Sequence, residues 1–482
     1  MPRRSRRYDL AVLGGGTAGL VAAIGAASQG ARTVMVERDR PGGDCLWTGC
    51  VPSKALLSVA ERAHLARTSA PFGVTTGEVQ VDFTVAMAHV QDAIGRLAAH
   101  DSPERLADEG VELIRGDGRF TGERTLQVGG RVLTFRHAVL ATGASPLVPD
   151  LPGLRDAAPR TSDTIWELTE LPRRLVVLGG GAIGCELGQA FARLGSQVTL
   201  VEAADRLLPR EEPLASRTVA DALRREGVTV AVGTQAVRVD TDQDGQRSLV
   251  IDDEGGERAV PCDELLVAVG RRPNVDDLGL EVAGVELTGT DAVAVDGHLR
   301  TTNPRIWAAG DVTMELPFTH VAAAHGAIIV QNALFGLRRT LDHERLPWVT
   351  FTDPEVARVG LSAQQARERF GARARVRVAD HEELDRAVAA GRREGSVTLV
   401  GDPKGRLVGA TVVGPRAGET LGEVVAWMAS DARIDRITRT THAYPTWNDD
   451  LADASLAELR DRLRRLAPAV RTLLRLRRWL DR

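Results

Sequence analysis

Tyr8-Asp9-Leu10-Ala11-Val12-Leu13-Gly14-Gly15-Gly16-Thr17-Ala18-Gly19 opens a stretch that runs to Glu37, and Arg174-Leu175-Val176-Val177-Leu178-Gly179-Gly180-Gly181-Ala182-Ile183-Gly184 opens a second that runs to Glu202. Laid over one another, the two match step for step. Leu10 to Leu13 and Leu175 to Leu178 read as short buried strands. Each is followed by a three-glycine loop and a helical pattern. Thr33 to Val36 and Val198 to Val201 then read as second strands, each ending on a glutamate at the same distance from its loop.

That spacing has a mechanism. Gly14 and Gly179 permit the tight turn, Gly16 and Gly181 let the backbone approach a pyrophosphate at a helix N-terminus, and Gly19 and Gly184 let helix pack on strand. Glu37 and Glu202 then stand where a carboxylate accepts hydrogen bonds from a ribose. One such loop alone is an ordinary strand-to-helix turn as easily as a nucleotide site. Two copies in full strand, loop, helix, strand and acid context predict two dinucleotide sites, the usual purpose of which is a flavin acceptor beside a nicotinamide hydride source.

Composition bounds the rest. A chain of 482 residues exceeds one hydrophobic core, so two to four domains are expected. Hydrophobic residues make up 43% and charged residues 26%, ordinary for a globular protein. A net charge of −4 gives no global field for nucleic acid, and no nucleic-acid partner is expected. The arginines before Tyr8 run straight into the first strand, so no signal peptide is read there. No apolar run reaches the ~18 residues of a membrane span, and a cytoplasmic location is expected.

Four cysteines are too few for a disulfide scaffold, which makes any cysteine pair catalytic or metal-binding. Cys45 and Cys50 lie in Gly42-Gly43-Asp44-Cys45-Leu46-Trp47-Thr48-Gly49-Cys50-Val51-Pro52-Ser53-Lys54. In regular helix they would stand too far apart for a disulfide, so the backbone must be distorted between them, and a bridge held there is easily reduced. Cys50 is expected just before the next helix, whose dipole favours a thiolate. No metal site is expected, since no further Cys or His ligand lies close by. Cys185 and Cys262 sit in apolar patterns and are read as core.

The run from Gly42 to Lys54, with both glycine loops, resembles the pyridine nucleotide-disulfide oxidoreductases: dihydrolipoamide dehydrogenase, glutathione reductase and mercuric reductase. Ala141-Thr142-Gly143, Gly270-Arg271-Arg272-Pro273-Asn274, Ile306 to Asp311 and Leu346 to Glu355 follow in family order. The resemblance implies an α/β chain with two doubly wound dinucleotide-binding domains built on three-layer sheets and a C-terminal α+β dimerisation domain. The expected boundaries are 1–168 and 273–345 for the FAD domain, 169–272 for the NAD(P) domain, 346–454 for the interface domain and 455–482 for a basic tail.

By the same resemblance FAD is held through Gly14, Gly16, Gly19, Glu37, Gly118, Asp311 and Thr319, with Lys54, paired to Glu186, near the reactive edge of the flavin. The nicotinamide nucleotide is held through Gly179, Gly181, Gly184, Glu202 and Gly270. Cys50 is the thiolate facing the flavin and Cys45 the thiol that attacks substrate. A carboxylate at the ribose repels a 2′-phosphate, so Glu202 predicts NADH over NADPH, with Arg206 nearby arguing the other way. The chain is expected to be a homodimer.

One segment departs from the family. Thiol-handling members carry a histidine before a proline, then a glutamate, as acid and base. Here the order is His442-Ala443-Tyr444-Pro445-Thr446-Trp447-Asn448-Asp449, which places Tyr444 and Asp449 in those positions and leaves His442 as a substitute base or a packing residue. A tyrosine donates a proton at neutral pH and is a poor base. Phe318-Thr319-His320-Val321-Ala322 with the Tyr-Pro-Thr ending is most similar to mercuric reductase-like proteins, although neither a metal-carrier domain nor a C-terminal cysteine pair is read in the sequence.

The acceptor is therefore a soft metal ion, a small disulfide or, directly from the flavin, a quinone. A non-turnover redox sensor or electron-donor subunit is the reading from another class. The tail carries Leu456, Leu459, Leu463 and Leu466, an expected break at Pro468, then Val470, Leu473, Leu474, Trp479 and Leu480 among arginines. It is either a membrane-surface helix or a terminal helix docked on the dimer.

Overall fold

The computed structural model describes residues 7–480, so the arginines ahead of Arg7 and the last two residues of the basic tail lie outside the described residues. The chain forms two units. One holds residues 7–204 and 226–343, the other 205–225 and 344–480.

In the first unit the strand Tyr8–Leu13 is central, with Thr33–Glu37 and Val111–Arg115 on one side and Arg131–Leu140, then Ile306–Ala308, on the other, all parallel. The long strand Arg131–Leu140 serves twice. Its second half pairs with Tyr8–Leu13, with Leu10 opposite His137 and Leu13 opposite Leu140, while its start closes an antiparallel meander with Gly118–Gly122 and Thr125–Val128.

Period-two alternation sorts the side chains into layers. Leu10, Val12, Met35 and Val139 face Leu20, Ala23, Ile329 and Val330 of the helices Thr17–Ser28 and Thr319–Phe335. Ala11, Leu13, Val36 and Leu140 face Phe120, Leu126 and Phe135 of the meander. Helices, parallel sheet and antiparallel meander make the expected three layers. Truncating Phe120 or Phe135, each almost wholly buried, costs about 3–5 kcal/mol as a cavity.

The second glycine loop repeats this plan. Arg174–Leu178 lies between Gln197–Glu202 and Glu264–Val267, in a five-stranded sheet that is parallel throughout. A three-stranded antiparallel sheet, Gln235–Thr241, Arg247–Asp253 and Gly256–Cys262, covers one face and puts Cys262 in the core with Val176, Val201 and Leu265. Cys185 is likewise buried, in the helix Ala182–Leu194.

The second unit carries a five-stranded antiparallel sheet, with Glu355–Gly360 and Leu407–Gly414 at its middle. Leu421, Val424 and Met428 of the helix Ala417–Ala429 pack on Val359, Leu399 and Val412. Residues 205–225, the crossover between the parallel neighbours Gln197–Glu202 and Thr229–Val232, are grouped with this unit. Trp348 Nε1 donates to Glu211 at 2.7 Å and the Ala363 amide to Glu212 at 2.5 Å, so two buried carboxylates bind the segment to this sheet.

The tail also differs from expectation. One helix, Asp449–Leu480, runs through Pro468 without the predicted break. Its surroundings there are exposed, so the carbonyl left without its intrahelical partner at Arg464 is open to solvent, which lowers the cost of an interior proline.

Candidate active site

The segment that carries the cysteines is placed by its own glycines. Gly43 has φ +62°, and a Cβ there would meet Gly16 Cα at 2.6 Å, while the Gly42 amide donates to the Gly15 carbonyl at 2.8 Å. The cysteine segment is thereby laid against the first glycine loop. Arg40 stacks over Trp47 at 3.7 Å, and the Trp47 indole donates to the Pro41 carbonyl at 2.8 Å.

The predicted distortion between the cysteines takes a definite form. A one-turn helix, Gly43–Trp47, ends, and a new helix, Cys50–Thr68, begins. The amides of Thr48 and Gly49 both turn back onto the Asp44 carbonyl, at 2.9 and 2.5 Å. A side chain at Gly49 would meet that same oxygen at 2.9 Å, which explains the glycine. Cys50 is the first residue of the new helix rather than the one before it, because Gly49 takes the capping position.

Cys45 and Cys50 are not bridged to one another here. Their chemistry is unequal. Cys50 is held down to about 6, chiefly because Cys45 donates a hydrogen bond to it, with the Thr319 hydroxyl, 3.3 Å from Cys50 Sγ, and the Lys54 ammonium adding to the effect against burial. Cys45 is pushed up by that same bond, by burial and by the charge on Cys50. These opposed shifts favour the proton on Cys45 and the charge on Cys50.

Lys54, one turn along the same helix, pairs with Glu186 at 2.8 Å, and Glu186 is buried. A residue not singled out from the sequence, Arg271, joins the site. It bonds the Asp44 carboxylate and the Ala144 carbonyl and lies 4.0 Å from Asp311. Burial, with the nearby Asp44, pushes the Asp311 carboxyl up to about 6. Arg271 was legible only as part of a family motif, since its partners come from distant segments.

The two nucleotide loops are built alike. Glu37 accepts from the amides of Gly15 at 2.6 Å and Asp39 at 2.8 Å, and Glu202 accepts from Gly180 at 2.6 Å and Ala204 at 2.7 Å. A side chain at Gly19 or Gly184 would strike the carbonyl of Gly14 or Gly179. The helices that follow, capped by Gly16 and Gly181, receive no side-chain cap, so their first amides stay available to a phosphate. Nothing lies within 4 Å of where a Cβ of Gly181 or Gly270 would stand. These features fit two dinucleotides. Gly118 packs its bare Cα against Leu13 and Val36, a close approach that gives it a packing reason of its own.

In the second unit Tyr444 and Asp449 each bond a different partner. The exposed Tyr444 hydroxyl donates to Asp385, a residue the sequence did not flag, and Asp449 caps the Thr446 amide at 2.9 Å because it stands at the start of the long helix. Asp385 and its charge hold the Tyr444 phenol above its ordinary range. His442 is bonded to Glu423 at 2.9 Å. Although burial opposes it, Glu423 is kept below the usual carboxylate range by bonds from His442, Asn448 and Trp427. One ring nitrogen of His442 is thus held in place by the Glu423 carboxylate. Arg206, the residue set against the NADH preference, donates to the Pro209 carbonyl at 2.9 Å.

Two parallel dinucleotide folds in one unit, with a thiol and thiolate set against the first loop, define a class: redox enzymes that relay hydride equivalents through a cysteine pair. Residues 8–326 match the pyridine nucleotide-disulphide oxidoreductases and residues 346–455 their dimerisation domain.

A mercuric reductase of Streptomyces lividans is 39% identical over 92% of this chain and 94% of its own length. A dihydrolipoyl dehydrogenase of Thermus scotoductus is 35% identical over 94% and 97%. Among solved structures, the Cu(II) complex of the HOCl-induced flavoprotein disulfide reductase RclA from Escherichia coli superposes with a TM-score of 0.82 at 28% identity, covering 94% of this chain and 99% of that one. This chain belongs to the pyridine nucleotide-disulphide oxidoreductase family and is a FAD-dependent NAD(P)H disulfide oxidoreductase.

Proposed function

We propose that the enzyme delivers electrons from NADH to a soft metal ion of the Hg(II) or Cu(II) kind. Bound FAD supplies the two-electron relay between nicotinamide and sulfur. Gly14, Gly16, Gly19, Glu37, Gly118, Asp311 and Thr319 hold the flavin, and Gly179, Gly181, Gly184, Glu202 and Gly270 hold the nicotinamide nucleotide. A disulfide that takes up one hydride equivalent breaks its S–S bond and becomes one thiol and one thiolate. That is the state the site stabilises, with the proton on Cys45 and the charge on Cys50 beside Lys54. Cys45, the one that keeps its proton, meets the acceptor. When one Hg(II), or two Cu(II) passing to Cu(I), take the two electrons, the S–S bond re-forms and the Cys45 proton passes to solvent.

The observation that carries the choice of acceptor is the state of Tyr444. An organic disulfide needs an acid and a base for its thiols, whereas a thiophilic cation needs neither. Tyr444 keeps its proton against Asp385 and is no base. The mercuric reductase relatives and the Cu(II) complex of RclA support the same reading. Glu202, fixed by two amides, supports NADH over NADPH, and Arg206 is engaged elsewhere.

Anaerobic reduction with NADH, followed by a panel of Hg(II), Cu(II), lipoamide, glutathione disulfide, mycothiol disulfide and quinones, tests the proposal. Metal-dependent NADH oxidation that is lost in Cys45→Ser is the expected result. Quinone turnover that survives Cys45→Ser and exceeds every metal rate would replace it with direct transfer from the flavin.

A further inference from the structure

The helix Asp449–Leu480 has two halves of different character. Its first half is anchored to its own unit. Leu451, Ala454 and Ser455 are buried, and Glu458, also buried, pairs with Arg375 and with Arg377, the latter at 2.8 Å. Arg377 holds Asp461 at 2.7 Å, and Arg462 bonds Asp435. Past this point the helix leaves the sheet. It also leaves the residues matched by the dimerisation domain, which end at 455.

At ~100° per residue, Leu463, Leu466, Val470, Leu473 and Leu474 share one face of the outer half, and Arg464, Arg471, Arg475 and Arg478 flank it. The five apolar side chains are 43–55% exposed, too much for a stripe that packs on its own domain. No Asp or Glu stands between Arg462 and Leu480. Trp479, an interface-loving side chain, is 71% exposed at the end.

We propose that this outer half lies flat in the interface of an anionic lipid bilayer, with the leucine face in the acyl boundary and the arginines among the headgroups. Charge selects the occupant. A second copy of the helix would bring two arginine rows together with no carboxylate to answer them. Nucleic acid would satisfy the arginines and leave the leucine stripe in water. An anionic bilayer satisfies both faces, and no described helix is long and apolar enough to cross it, so the contact is peripheral. Arg477 falls within the apolar face, where its long stem lets the guanidinium reach the headgroups, while Trp479 lies on the opposite face.

The test is flotation of the full-length flavin-loaded protein with vesicles of equal parts phosphatidylglycerol and phosphatidylcholine, and with phosphatidylcholine alone. Binding to the anionic vesicles only, released in high salt, is expected, since each basic residue near such a surface strengthens binding roughly fivefold. Leu466→Asp with Leu473→Asp, and separately Arg471→Glu with Arg475→Glu, should each weaken binding more than tenfold while flavin content and NADH-dependent dye reduction stay unchanged. Absence of wild-type flotation, or flotation that neither variant reduces, would overturn the proposal. So would a leucine variant that sediments as a smaller assembly, because that outcome assigns the face to a second copy.

Discussion

Thr319 and Cys50 are separated by most of the first unit's sequence, yet hydroxyl oxygen and sulfur stand 3.3 Å apart. Each is the first residue of its helix, Thr319–Phe335 and Cys50–Thr68, so two helix N-termini converge on one sulfur. Both favour negative charge there.

Thr319→Val removes the hydroxyl with little change of shape. A hydrogen bond to a charged group is worth about 1.5–3 kcal/mol, so the Cys50 pKa should rise from about 6 by roughly one to two units. Alkylation of the reduced enzyme by a small haloacetamide, followed against pH, should shift to higher pH by that amount. A profile that coincides with wild type would show that the hydroxyl does not donate to the thiolate.

Asp44→Asn acts in the opposite sense. The Asp44 charge raises both cysteines and also Asp311. With it neutralised, thiolate forms at lower pH, and the same alkylation profile should move down. A rise would mean that losing the bond to Arg271 matters more than losing the charge.

Gly19→Ala and Gly184→Ala separate the two dinucleotide sites. Each new methyl would strike a carbonyl of its own loop. Gly19→Ala should purify without flavin. Gly184→Ala should keep its flavin and its reduction by dithionite while losing reduction by NADH, and the reverse pattern would exchange the two assignments.

Glu202→Ala leaves the amides of Gly180 and Ala204 without their acceptor and the ribose without its partner. kcat/KM for NADH should fall about tenfold to a hundredfold, and that for NADPH far less. Wild-type enzyme that already prefers NADPH would exclude the role given to this carboxylate.

Asp385→Asn should let the Tyr444 phenol ionise at lower pH, because Asp385 is what holds it up. Ultraviolet titration can resolve this, since Tyr8 is the only other tyrosine. An unmoved titration would place the hydrogen bond outside the solution structure.

Local features were legible in the sequence because their causes are local. The glycine loops, the glutamates beyond them, the break between Cys45 and Cys50 and the burial of Cys185 and Cys262 all follow from spacing and pattern. What escaped depends on partners far along the chain. Arg271 meets Asp44 across more than two hundred residues, and Asp385 meets Tyr444 across 59. Glu211 and Glu212 find donors beyond residue 344, and Pro468 fails to end its helix because the solvent around it makes the lost bond cheap.

The Lys54–Glu186 pair has one more consequence. Lys54 rides on the helix that begins with the thiolate, and Glu186 on the helix that follows the second glycine loop. A single ammonium thus answers to two anions, one permanent and one present only after reduction. As sulfur gains charge, the lysine is shared and its hold on Glu186 slackens; as sulfur loses it, the hold tightens. The charge on the cysteines and the helix behind the second glycine loop thus share one ammonium.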